Sequence, residues 1–137
     1  MLNPIARTVI RASAALVATL ALIAPAVADT DPSGTYRIIT GTGKHMIVTI
    51  IGTVGGVDGM YVGGGVGGRL HGTYNQSNPN IVNYTWVEDK NDALNQNTKR
   101  GWGNMQFSDD ATRMQARWGF ENQGTSVGLW NATRIDP

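Results

Sequence analysis

From Tyr36 onward the chain alternates apolar and polar positions in short runs, broken by clusters of Gly, Asn, Asp and Ser. Alternation with a period of two predicts β-strands, because successive side chains of an extended chain point to opposite sides. About eight such runs stand out: Tyr36 to Thr40, Met46 to Ile51, Val57 to Val62, Arg69 to Asn75, Ile81 to Glu88, Trp102 to Ser108, Thr112 to Phe120 and Ser126 to Ile135. The seventh is the clearest, with Met114, Ala116, Trp118 and Phe120 on one side and Arg113, Gln115 and Arg117 on the other. Val82, Tyr84 and Trp86 oppose Asn83 and Thr85 in the fifth, and Leu70, Gly72 and Tyr74 oppose Arg69, His71 and Thr73 in the fourth. Each ribbon therefore has a side to bury and a side for water.

The connections are too short for the helix that a parallel crossover needs, so consecutive strands pair antiparallel. This predicts an all-β, up-and-down meander. An open sheet would expose two hydrogen-bonding edges, and closure into a small barrel removes both. Eight strands enclose an interior just wide enough to be filled by side chains or to hold one small ligand. A two-sheet β-sandwich uses the same strands and is the alternative. The predicted outer faces carry Arg37, Arg69, Arg113, Gln115 and Arg117, which is the wrong surface for a barrel embedded in lipid. No integral insertion of the folded domain is expected.

Composition adds a destination. Arg7 and Arg11 precede an apolar run from Ala12 to Ala24, too short to span a bilayer, and Ala26-Val27-Ala28 has the small-x-small form of a leader cleavage site. Residues 1–28 are thus expected to be a cleaved secretory signal peptide, with Asp29 opening a 29–137 barrel domain that works in the periplasm or outside the cell. Removing 28 of 137 residues leaves 109, a single small domain. The leader takes two of the eleven basic residues, so nine face ten acids and the net charge moves from +1 to −1. No basic stripe remains, and a nucleic-acid partner is not expected. The chain has no cysteine, which excludes disulfides, thiolate metal sites and a thiol nucleophile.

All 18 glycines follow the leader. They are expected at bent strand corners and at turn positions with positive φ. Ten of the 21 residues from Gly52 to Gly72 are glycine, which reads as a flexible connection or as a lid over one barrel mouth. The Gly63 to Gly68 run contains G-x-G-x-x-G, but a strand follows it where a dinucleotide site needs a helix. Gly41-Thr42-Gly43-Lys44 likewise lacks the remainder of a phosphate loop.

Residues for a reaction are sparse. His45 and His71 are not at ligand spacing for a metal, and His71 falls on a polar strand face. Ser33, Ser77, Ser108 and Ser126 stand in no nucleophile pattern. Glu88-Asp89-Lys90-Asn91-Asp92 and Asp109-Asp110 read as turns. No catalytic group, metal or cofactor is implied. The aromatic residues say more: Tyr74, Trp86, Trp102, Trp118 and Trp130 lie on five consecutive strands, so their rings can converge inside a barrel or at its mouth. Flat rings stack on planar ligands and on the apolar faces of sugars. These five are the candidate ligand-binding residues, with packing of a small core as the competing role. Trp102 alternates away from Met105 and Phe107, and Trp130 away from Val127 and Leu129, which sets both at barrel ends or on the outer surface.

Gly34-Thr35-Tyr36, Leu70-His71-Gly72-Thr73-Tyr74, Gly101-Trp102 with Phe107 following, and the later Trp118 and Trp130 together resemble the avidin family of secreted eight-stranded barrels. The resemblance implies a small-molecule pocket lined by Tyr74, Trp102, Trp118 and Trp130, biotin being the family's ligand. Ile38 stands where that family carries a polar residue, and the glycine-rich segment has no counterpart there. Lipocalin-like barrels are a looser analogy. The expectation is an exported, non-enzymatic barrel that binds a small apolar or planar ligand or a sugar. The alternative is a protein-interaction module, such as a hydrolase inhibitor or an envelope factor.

Overall fold

The computed structural model describes residues 30–40, 42–89 and 99–136. The expected leader, Asp29, Gly41, and Lys90, Asn91 and Asp92 of the acidic cluster lie outside the described residues. Eight strands form: β1 (Gly34–Ile39), β2 (His45–Thr53), β3 (Gly56–Gly63), β4 (Val66–Tyr74), β5 (Ile81–Asp89), β6 (Arg100–Phe107), β7 (Arg113–Phe120) and β8 (Gly128–Arg134). Each begins and ends within three residues of its predicted run. Neighbours along the chain pair antiparallel, and β1 pairs β8 from Tyr36 opposite Arg134 to Ile39 opposite Asn131. That last ladder closes the barrel, and the sandwich alternative does not form.

Alternation sorts the side chains as expected. Tyr36, Ile38, Val48, Ile50, Val57, Val82 and Met105 are fully shielded inside, while Arg37, Arg69, Arg113, Gln115 and Arg117 point outward and are exposed.

The glycine-rich segment corrects the sequence reading. Gly52 to Gly72 is neither a lid nor a loose connection: it supplies the end of β2, all of β3 and most of β4, joined by two-residue turns. Gly64 and Gly65 both take positive φ, 62° and 81°, as a type I′ hairpin turn requires. The other strand glycines serve packing more than bending. Gly68 faces Tyr61, Gly72 and Gly103 flank Tyr84, Gly101 faces Trp86, and Gly128 faces Trp118. A methyl group at any of these would collide with a neighbouring side chain. Without side chains there, large rings fit into a narrow barrel.

The two ends of the barrel differ. At one end the segment before β1 folds across the opening and buries Pro32. The Tyr36 hydroxyl lies 2.9 Å from the Pro32 carbonyl and 3.0 Å from the Ala111 carbonyl. Thr30 Oγ1 donates to the Asp109 carbonyl at 2.6 Å, and the Gly52 amide donates to Ser33 Oγ at 2.8 Å. The Tyr36 ring leans on Phe107, their centroids 5.8 Å apart. This end is plugged. The β1–β2, β3–β4 and β7–β8 connections surround the other end, and there the aromatic residues gather.

Candidate functional site

At the second end, register and small neighbours place five rings side by side. Trp86 points inward from β5 between Leu70 and Gly101. Phe120 stands opposite Gly101, and Trp118 lies between Gly103 and Gly128. Trp130 faces Ala116, and Tyr61 faces Gly68. Trp86, Trp118 and Phe120 make three walls at steep angles: 86° between Trp86 and Trp118, 88° between Trp118 and Phe120, and 61° between Trp86 and Phe120, with centroids 5.5–5.9 Å apart. Trp130 lies 6.2 Å from Trp118, and Tyr61 lies 5.9 Å from Trp130. Together with Met46, Val66, Glu88 and Lys99 these rings line an open cup of about 160 Å³.

That volume sets the scale of any guest. Sites for drug-sized ligands are about 300–1,000 Å³, whereas an apolar cavity of about 150 Å³ accepts one benzene. The cup suits a single ring or a compact group of that size.

Two inward polar tips of β5 are engaged within the protein. The Tyr84 hydroxyl donates to the Arg117 carbonyl at 3.0 Å, and Trp86 Nε1 donates to the Gly119 carbonyl at 3.2 Å. Trp118 Nε1 is the buried side-chain polar atom that has no hydrogen-bond partner among the described residues. It lies against the Gly128 backbone.

Charge enters at the rim. Glu88 is half-buried, and its amide donates to the Lys99 carbonyl at 2.8 Å. Outside the cup, Arg69 meets Asp89 at 3.3 Å and Arg100 meets Glu121 at 3.8 Å. Burial pushes the Tyr61 phenol well above the usual range, and the nearby Glu88 and Asp89 carboxylates push it further. Burial likewise raises Tyr84, with Tyr61 adding a smaller effect.

Of the five candidate residues, Trp86, Trp118 and Trp130 come together here. Tyr74 does not: it is buried at the end of β4, opposite Val82 and towards the plugged end. Trp102 is on the outside of the barrel. It covers Gly119 and donates Nε1 to the Gln123 carbonyl at 2.8 Å. The common pocket implied by the avidin resemblance therefore does not gather all four of its residues. Tyr61, Phe120, Met46, Val66, Glu88 and Lys99 were missed as cup residues. Parity marks two of them in the sequence, since Tyr61 alternates with Val57 and Phe120 with Trp118.

Wider hollows lie on the open outer wall. One, of about 480 Å³, runs beside Ile51, Met60 and His71, and another of about 490 Å³ lies beside His71, Thr85 and Trp102. His71 Nδ1 is 2.6 Å from Asp58 Oδ1, with both side chains exposed. Among the described residues no group of three His, Asp or Glu is placed to hold a metal.

No family model matches the chain, and neither a curated protein nor a solved structure matches it significantly.

Proposed function

We propose that the protein is an exported binding barrel, not an enzyme, whose aromatic cup takes one ring-sized apolar or planar group. The observation that carries this reading is the contrast between the two ends. One is sealed by the Thr30 to Ser33 segment, while five rings converge on an opening of about 160 Å³ at the other. Burying rings of this size away from water is worth several kcal/mol, and among the described residues their shared mouth is open, which makes that apolar surface available to a guest. The cup is too small for a whole drug-sized ligand, so it would hold the end of a larger molecule. An avidin-like relationship remains part of this proposal at the level of strand number and meander. Export rests on the leader expected at residues 1–28.

The test blocks the cup from its rim. Val66 lines the cup and is 39 % exposed, so Val66→Phe fills the opening without disturbing the core. Calorimetric titration with benzyl alcohol, indole and short fatty acids should give saturable binding for at least one class and loss of it in Val66→Phe. Failure of every class, and of compact organic cations, to bind the unaltered chain would refute the reading.

A second reading, an interaction module for an envelope protein, draws on the outer face of β2 and β3. Ile51, Met60 and Val62 are each about 60 % exposed there, and clustered exposed apolar side chains mark contact surfaces. Under that reading Met60→Glu would abolish partner binding and leave the cup's ligands unaffected.

A further inference from the structure

Resting on the cup as a ligand site, we propose that its guest is a compact organic cation carrying methyl groups, of the quaternary or methylated ammonium class. Three features of the lining converge on this. A cation is attracted to the face of an aromatic ring within about 6 Å of its centroid. Because neighbouring cup rings are themselves only 5.5–6.2 Å apart, a group seated against one ring lies within reach of others. The steep angles among Trp86, Trp118 and Phe120 form a box-like corner, a shape suited to a rounded group more than to a flat one.

The second feature is hydrogen bonding. Of the lining groups, Trp86 already donates to a backbone carbonyl, Met46, Val66 and Phe120 offer no polar atom, and the Trp118 and Trp130 indoles can donate but not accept. A primary ammonium brings three N–H donors, and the side-chain acceptors of the lining are the Tyr61 hydroxyl and the Glu88 carboxylate, so each N–H that misses them is left at a cost. A quaternary ammonium has no N–H to satisfy.

The third is charge. Glu88 is the carboxylate in the lining, half-buried beside the rings, whereas Lys99 is exposed at the rim. Burial is the larger cause of the rise of the Tyr61 phenol, and the Glu88 and Asp89 carboxylates add to it by disfavouring a nearby negative charge. A carboxylate held half-buried beside the rings favours a cationic guest over an anionic one.

The experiment compares three probes on the full chain by calorimetry and tryptophan fluorescence: choline, its neutral isostere 3,3-dimethylbutan-1-ol, and ethanolamine. Choline should bind at least tenfold more tightly than either of the others, and Glu88→Gln should remove most of its advantage over the neutral isostere. Equal or tighter binding of the neutral isostere would overturn the charge preference and leave the apolar cup standing. Tighter binding of ethanolamine would overturn the preference for methyl groups. Absence of binding by all three, together with failure of the ring and fatty-acid probes, would remove both the cation inference and the site it rests on. The comparison on the unaltered chain decides the matter even where Glu88→Gln is poorly folded.

Discussion

The Trp86 indole reaches from β5 across β6 and donates its Nε1 proton to the Gly119 carbonyl on β7, 3.2 Å away. Gly101 lies between them, and a Cβ there would sit 2.6 Å from Trp86 Nε1 and overlap the Gly119 oxygen. Two residues further along β6 the arrangement repeats: the Tyr84 hydroxyl passes Gly103 to reach the Arg117 carbonyl at 3.0 Å. Glycine at these positions leaves space for the ring and for the carbonyl that accepts from it. Both polar tips enter the barrel with a partner, as burial demands.

Gly101→Ala and Gly103→Ala should therefore each be strongly destabilising. Overpacking costs about 1–3 kcal/mol, and displacing a buried donor from its acceptor adds about 1–3 kcal/mol. Urea unfolding of each variant should show a loss of roughly 2–5 kcal/mol. Gly124→Ala is the control, since nothing lies within 4 Å of its added methyl and its expected change is within about 0.5 kcal/mol. Comparable stability in all three variants would show that the β6 glycines do not make room for the rings.

Alkaline stability should follow the buried phenols. Burial raises Tyr36 to about 12, with neighbouring charges making smaller changes, and it also raises Tyr61, Tyr74 and Tyr84. A phenol that titrates higher in the folded state keeps its proton where the unfolded chain, at about 10, has released it. Its stabilisation is complete below pH 10 and is lost as pH rises towards the folded value, by up to about 1.4 kcal/mol per unit for each tyrosine. Phenolate absorbance should thus appear together with loss of circular dichroism in one transition above pH 10. Tyr36→Phe should be less stable by about 1–3 kcal/mol at pH 7, because the Pro32 and Ala111 carbonyls lose their donor, and that deficit should shrink near pH 12. Free titration of all four phenols near 10 in a folded protein would contradict this account.

The strand count and antiparallel order were legible because each strand has one wet side and the connections are short. Closure was favoured over a sandwich only by the cost of two open edges, and it is fixed by the β1–β8 ladder. In β7, Arg113, Gln115 and Arg117 leave no other way to bury Met114, Ala116, Trp118 and Phe120. The pairing of rings with glycines was not legible, because it depends on register between strands: Gly103 receives Tyr84 only because β5 and β6 align those two residues. For the same reason Tyr61 was overlooked, lying in a glycine-rich stretch whose glycines suggest flexibility until Gly68 is seen opposite the ring. Which candidate tryptophans meet is likewise a matter of height along the barrel. Tyr74 and Trp86 share the interior, yet Tyr74 pairs with Val82, four residues before Trp86, roughly 13 Å away along the strand.

Trp102 separates the cup from the outer wall experimentally. Its indole faces outward, covers Gly119 and holds the β7–β8 connection through the 2.8 Å bond from Nε1 to the Gln123 carbonyl. Trp102→Phe keeps a ring over Gly119 and removes that bond. The expected cost is about 0.5–1.5 kcal/mol, with faster amide exchange concentrated in residues 121–127, because this short loop relies on few other anchors, such as the Val127 amide to the Trp118 carbonyl at 2.8 Å. Ligand affinity measured calorimetrically should stay within about twofold. Trp118→Phe should instead weaken binding at least tenfold, since it removes part of a cup wall. If Trp102→Phe abolished binding while the fold stayed intact, the ligand would occupy the outer hollow beside His71 and Thr85, and the cup would be packing alone.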